Sequence, residues 1–376
     1  MEDTHLRRAV KITDSNFKWI HRYNNGHEDY GCSVEIDKKG NIIAVGNSFD
    51  GKKYTTEIRK FDGNGNLIWN NTYKSAKQNM VYDLAIGPNN CIIITGLNGE
   101  WTNDALPNSS AYLVKYDEDG KLLWNKFFKQ GICTIGFGVK TDSKENIYLT
   151  STLFKKGEPN LTCWIIKCDK DGNKIWDKFY HEQYMNIPYG LAVDSKDSVI
   201  VVGYAFNPYK INGIWTAGFM ILKYDKNGKL LWSKRYLPRE TAEALDIYVD
   251  SQDNIIIVGK NSFVDKKYND IIIVKIDKIG NILWENKHRN NFRFYPFGLG
   301  ILANGEIIIG GSSHISKYPT SFIGAFSKEG ELKWIKRTND KKTIFDIAVD
   351  KNNSVISVGS FFDKNQEFYI LKEIVD

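Results

Sequence analysis

Trp101, Trp164 and Trp215 stand where aromatic rings could face a ligand. They fall in or beside the longest loop-like stretches, of which 97–110 and 204–215 carry Asn, Gly, Pro and Ser. A large rigid ring presents contact area at little entropic cost, which suits a peptide or a sugar. The competing expectation is that these rings cap the apolar ends of the elements beside them, since large aromatics ordinarily pack. A second set shares one position, just past a recurring tryptophan: His21 and Arg22, Tyr73 and Lys74, Tyr180 and His181, Arg235 and Tyr236, His288 and Arg289, and Arg337. Arginine forks suit carboxylate or phosphate groups, whereas a solvated rim would use the same side chains as aliphatic cover. The expected ligand-binding set is therefore Trp101, Trp164, Trp215, Arg22, Tyr73, Tyr180, Tyr236 and Arg289. If the chain is an enzyme, His181, His288 and Arg235 are its candidate acid–base and anion-stabilising groups.

Linear catalytic signatures are absent. There is no phosphate loop, no His-Glu-x-x-His and no Gly-x-Ser-x-Gly, although a repeat fold can assemble a site from distant loops. Asp83, Asp246 and Asp346 share a place where other repeats carry Ser33, Gly138, Gly190 and Gly298. Such acids could ring a cation, or cap local backbone as aspartates more often do. The segments 62–66, 117–120 and 169–173 look faintly like calcium loops but lack the downstream glutamate, so hairpin turns are expected there. Neither a metal nor a cofactor is expected.

The elements that must position these residues repeat. Trp19, Trp69, Trp124, Trp176, Trp232, Trp284 and Trp334 recur at intervals of 50 to 56 residues. Each closes the same phrase, clearest as Lys223-Tyr-Asp-Lys-Asn-Gly-Lys-Leu-Leu-Trp232. A period of this size marks a repeat architecture. Each unit reads as four β-branched strands, A to D, parted by Asp/Asn/Gly turns. In unit five these are 244–250, 255–259, 270–277 and 282–287. Strand A ends in an acid at Asp37, Asp142, Asp194, Asp250 and Asp350, and nine residues later strand B ends in glycine in every unit but the third, which has Ser151. The C–D turn glycines, such as Gly65 and Gly228, suit a left-handed backbone position. A residue filled identically in every unit serves the repeat, so the recurring tryptophans are expected between neighbouring units.

The last unit stops after three strands (345–350, 354–359, 368–374), and its missing fourth, with its tryptophan, stands at 16–23. The expected architecture is all-β: a seven-bladed β-propeller with four antiparallel strands per blade, closed by the N-terminal strand. Residues 1–15 form a tail and 16–376 one domain, with the seventh blade built from about 344–376 plus 16–23. The phrase Asp-x-x-Val-Asp, then Ile-x-x-x-Gly, then Val-Lys-x-Asp-x-x-Gly-x-x-x-Trp resembles the bacterial SBBP-type β-propeller repeat, and more distantly the NHL and quinoprotein-like propellers. That resemblance implies the fold and leaves the function open, because propellers host binders, lyases, hydrolases and scaffolds. A–B and C–D turns then lie on one face, and the longer B–C and D–A loops on the other.

Composition narrows the classes. A charge of +6 from 51 basic and 45 acidic residues is mild and mixed along the chain, which argues against a dedicated nucleic-acid binder. No apolar run reaches the length of a bilayer span, and the N-terminus has no stretch fit for a signal peptide. Five cysteines, odd in number and without a Cys-x-x-Cys pair, favour a reducing compartment. The expectation is a cytoplasmic, monomeric, non-enzymatic scaffold that binds a protein segment or a glycan on the B–C/D–A face. A lyase or hydrolase at the channel mouth, or a purely structural module, are the alternatives.

Overall fold

The computed structural model describes residues 17–375, apart from 76, 101–107, 159, 182–183, 212–213, 238–240, 263–267, 290–292, 315–318, 339–340 and 363–364, and apart from the side chains of 207–211, 214–216 and 314. All regular structure among them is strand, 28 strands in all. They form antiparallel four-strand units in the order A-B-C-D. Five sheets hold four strands each, and one holds eight, where a single parallel pairing of Leu161 with Met185 joins two such units. In unit five the strands run Thr241–Val249, Ile255–Ser262, Asn269–Ile276 and Ile282–His288. Strand A thus begins three residues before the sequence-based bound. The first strand, Phe17–Tyr23, pairs antiparallel with the last, Gln366–Ile374, from Phe17 opposite Glu373 to Tyr23 opposite Phe368.

Apolar clusters fill the space between neighbouring sheets. One is Ile200, Val202 and Phe219 of unit four packed with Ala244, Ile257 and Ile272 of unit five. The repeated tryptophans rivet these joints. Trp19, Trp69, Trp124, Trp176, Trp232 and Trp284 lie over Gly65, Gly120, Gly172, Gly228, Gly280 and Gly330, the C–D turn glycines of the following unit. Each of these glycines has φ between 79° and 92°, where a side chain would be strained, and at all but Gly280 a β-carbon would also crowd the indole. The indole N–H of Trp69, Trp176 and Trp232 donates to the carbonyls of Glu118, Lys226 and Lys278 in the same turns.

A buried lysine of strand C adds a second rivet. Lys60, Lys167, Lys223 and Lys372 lie 2.7–3.0 Å from Asp37, Asp142, Asp194 and Asp350. Each also donates to a carbonyl of the next C–D turn, those of Glu118, Lys226, Lys278 and Gly63. The aspartate meanwhile organises its own A–B turn, as when Asp37 accepts the amides of Lys39 and Asn41. The calcium-like C–D segments behave in the same way. Asp62 turns both oxygens onto the amide and side chain of Asn66, so they serve the hairpin.

Strand A holds a feature that simple alternation does not anticipate. Its register with strand B slips once in every unit, at Gly31/Ser33, Val81/Asp83, Gly136/Gly138, Pro188/Gly190, Ala244/Asp246, Pro296/Gly298 and Ile344/Asp346. One extra residue is inserted at each slip, a β-bulge that turns two successive side chains to one side. The bulge explains the glycine that ends strand B. A β-carbon on Gly259 would overlap the carbonyl oxygen of Glu243 and stand 2.7 Å from the Phe219 ring. Gly259→Val is expected to cost about 1–3 kcal/mol through overpacking against rigid backbone. Urea unfolding followed by tryptophan emission measures it, and a midpoint equal to wild type would refute the close approach.

Candidate functional site

The bulges build a site. The inserted residues are Cys32, Tyr82, Phe137, Tyr189, Leu245, Phe297 and Phe345, and all line one cavity of about 870 Å³ bounded by strand A of every repeat. Tyr82, Phe137 and Tyr189 form one run of rings, with centroids 5.4 and 5.9 Å apart. Tyr295, Phe297, Phe345 and Tyr30 form another, at 6.0, 5.7 and 6.4 Å. Together they make a broken aromatic belt, and the rings are half-buried. Burial holds the phenol of Tyr82 up at about 12, so it stays neutral.

One residue past the bulge stand Asp83, Asp246 and Asp346. Each bonds its own following amide, at Leu84, Ile247 and Ile347, 2.7–2.8 Å away. Each also reaches the next unit, at the amides of Val139, Leu299 and Val34, 2.8–2.9 Å away. The Ser33 hydroxyl lies within hydrogen-bond distance of both Asp83 and Asp346, 3.1 and 2.9 Å away. Backbone capping and unit-to-unit bridging therefore coincide in one carboxylate. Burial raises all three carboxyls above their usual range, Asp246 to about 7. Two residues further along, Lys140 ion-pairs with Glu35. Burial disfavours its charge, but the carboxylates of Glu35 and Asp83 outweigh this and hold the ammonium above its usual value. Where strand A begins, Lys260 lies 3.3 Å from Glu243 and 4.5 Å over the Tyr295 ring.

Those of the expected residues that the structure describes lie outside this cavity. Trp164 is 2% exposed and stacks on Phe179 with centroids 5.6 Å apart, so its ring offers no face to a ligand. Its place in strand C, opposite Ser151, is the reason: side chains there point into the joint between sheets. Trp101 and the side chain of Trp215 lie outside the described residues. Tyr73 and Tyr180 are buried and pack in the joints. Tyr236 packs on Phe219 at 5.2 Å. Arg22 lies 3.8 Å over the Phe361 ring, and Arg289 meets Asp270 at 3.3 Å. Of the acid–base candidates, His288 bonds the Gly330 carbonyl at 2.9 Å, and burial lowers its basicity. Arg235 reaches the Ala205 carbonyl, and His181 is exposed beyond strand D. No hydrogen bond among the described residues joins these three.

Strict alternation assigns each strand-A residue to one face by parity and so does not place the belt. Val81 and Leu84, apolar and three positions apart in the sequence, are both fully buried. An odd spacing between core residues in one strand requires a bulge between them.

No protein-family model matches the chain. A stretch of 161 residues is 25% identical to an uncharacterized WD repeat-containing protein, L264, of Acanthamoeba polyphaga mimivirus; the match covers 39% of this chain and 11% of that protein. Among solved structures, YCF48 bound to D1 peptide superposes with a TM-score of 0.54 at 9% identity, covering 98% of both chains. The β-propeller domain of the Trilobed protease from Pyrococcus furiosus, described as having an open velcro topology, gives 0.53 at 13% identity, covering 93% of this chain and 96% of that one. Puromycin hydrolase gives 0.58 at 10% identity, covering 91% of this chain and 51% of that one. These likenesses establish the fold alone: the chain is an all-β protein of four-stranded units with β-propeller architecture.

Proposed function

We propose that the chain forms one seven-bladed propeller domain, closed by its N-terminal strand, that serves as a non-enzymatic binding scaffold and takes a protein segment into its central channel. Three joints between the last and first units support closure: Trp19 over Gly65, Lys372 on the Gly63 carbonyl, and the Asp346 carboxylate on Val34 and Ser33. The observation that carries the binding reading is the 870 Å³ cavity behind an aromatic belt. Half-exposed rings in a concave wall are characteristic of sites that bury a ligand. A peptide as ligand agrees with the bound peptide of YCF48, which shares the fold. Entry is from the B–C/D–A face, where Tyr30, Glu243 and Tyr295 open strand A. The binding reading ranks above the enzyme reading because His288 and Arg235 are turned onto backbone carbonyls, those of Gly330 and Ala205.

The test uses the full chain. Peptides selected from a random heptamer library are titrated calorimetrically against wild type and Leu245→Trp, which adds a ring to the cavity at a bulge position. Affinity is expected to fall at least tenfold with an unchanged melting temperature. Equal affinity for the two proteins would refute the channel as the site.

A further inference from the structure

The ligand's charge is legible in the cavity wall. We propose that the channel receives a cation on an alkyl stem, an ammonium or a guanidinium, which passes the aromatic belt and is held by Asp246 and Asp346. This inference rests on the channel being the binding site.

Five carboxylates line the cavity, Glu35, Asp83, Glu243, Asp246 and Asp346, against two ammonium groups, Lys140 and Lys260. The two cations are already engaged, Lys140 with Glu35 and Lys260 with Glu243. Among the described residues no lysine or arginine lies within ion-pair distance of Asp246 or Asp346. Asp83 is the best compensated of the three, since the charge of Lys140 favours its ionised form. A carboxylate offers about four lone-pair sites. The two amides bonded to Asp246 leave acceptor capacity on it.

Comparing the repeats separates fold from function inside one chain. Positions that hold the units together, the tryptophans and turn glycines, are filled alike throughout. The aspartate position is not: Gly138, Gly190 and Gly298 occupy it in three units that fold the same way. A unit therefore folds without the amide bonds that Asp246 and Asp346 make, and the two carboxyls stand in a confined, poorly screened space with no cation at ion-pair distance, where burial favours their neutral form and an arriving cation would favour the ionised one. An anion would oppose ionisation of these carboxyls further, and a neutral ligand would leave the ionised form without a partner. A cation is matched twice, by the ring faces of the belt and by the carboxylates beyond it. Lys140 marks the preference from within: its ammonium reaches Glu35, which belongs not to the neighbouring unit but to the one beyond it.

Isothermal titration calorimetry of the full chain tests this with three probes: agmatine, the peptide acetyl-Gly-Gly-Arg-Gly-Gly-amide, and the same peptide with citrulline replacing arginine. The arginine peptide is expected to bind at least tenfold tighter than the citrulline peptide. Agmatine binding as well as that peptide would identify a free amine as the source, and weaker agmatine binding a protein side chain. Asp246→Asn is expected to weaken arginine-peptide binding at least tenfold. Lys140→Met, which removes a resident cation, is expected to tighten it at least threefold, and a merely structural lysine would not give that sign. Arginine and citrulline peptides binding equally, both blocked by Leu245→Trp, would overturn the cation and leave the channel reading standing. Arginine-specific binding indifferent to Leu245→Trp and Asp246→Asn would place the site elsewhere and overturn both. Binding by none of the probes overturns the cation inference.

Discussion

Replacing Lys223 by methionine lowers the unfolding free energy by about 3–5 kcal/mol, the range for a buried ion pair left with one partner. The Lys223 and Asp194 side chains are 4% and 2% exposed, with 2.8 Å between Nζ and the carboxylate. The ammonium also donates to the Lys278 carbonyl of the following unit. Methionine fills a similar volume, so the loss reads the stranded carboxylate and the missing bond between units. Adding Asp194→Asn removes that charge while an amide oxygen still accepts the turn amides of Lys196 and Ser198. The double variant is expected to regain about 1–3 kcal/mol relative to the sum of the singles. The chain contains its own precedent: unit six carries Leu302 and Ala325 at the two positions and loses both charges together. Urea unfolding of the four proteins completes the cycle, and additive losses would show that the pair is not coupled.

Asp246→Asn is expected to flatten the dependence of stability on pH between about 4 and 7. Burial lifts this carboxyl to about 7, the negative charge of Asp83 adds to the lift, and the amides of Ile247 and Leu299 and the charge of Lys140 oppose it. Its neutral form is the one the fold favours. The native state therefore holds more protons than the unfolded chain between an unfolded value of roughly 4 and the folded value. The sign follows: the contribution is complete below roughly pH 4 and is lost as pH rises through about 7. Its size is on the order of 2 kcal/mol once water in the channel is allowed for. The charged groups facing Asp246 are Lys140, Asp83 and Asp346, with Glu35 and Glu243 along the same wall. His288 titrates in both proteins and cancels in the comparison. The observable is the difference in urea midpoint between wild type and variant across that range. Parallel profiles would show that Asp246 ionises normally.

The opposite limb belongs to the turn aspartates. Burial works against the charges of Asp37, Asp142, Asp250 and Asp350, but lysine partners and turn hydrogen bonds overcome it and lower all four carboxyls. Their contribution is present above the unfolded value and is lost as pH falls through the folded ones. One residue type thus works in two senses within 60 residues of chain. Asp250 closes a turn 2.9 Å from Lys275, and Asp246 stands in the cavity with no lysine at ion-pair distance.

Much of this was legible in the chain because a repeat states each structural requirement several times. The phrase ending in Trp232 names the strand, the turn glycine and the lysine at once, and each has a role that local chemistry explains. The site was less legible. Trp164 breaks the tryptophan period, yet its parity in strand C sends it into a joint between sheets. Tyr82, Phe137 and Phe345 carry no such mark, because alternation cannot assign a residue that a bulge has displaced.

The sequence alone determined the period, the four-strand unit, the turn chemistry and the place of the tryptophans between units, since these follow from interactions within a repeat or with its neighbour. The tertiary structure decided which side chains share the channel. Asp346 and Val34 are 312 residues apart yet lie 2.9 Å from each other, and no local rule connects them. Where the units meet depends on the strand-A bulge and on the way every sheet packs against the next. Only that arrangement sets carboxylates from distant repeats around one space with too few cations to match them.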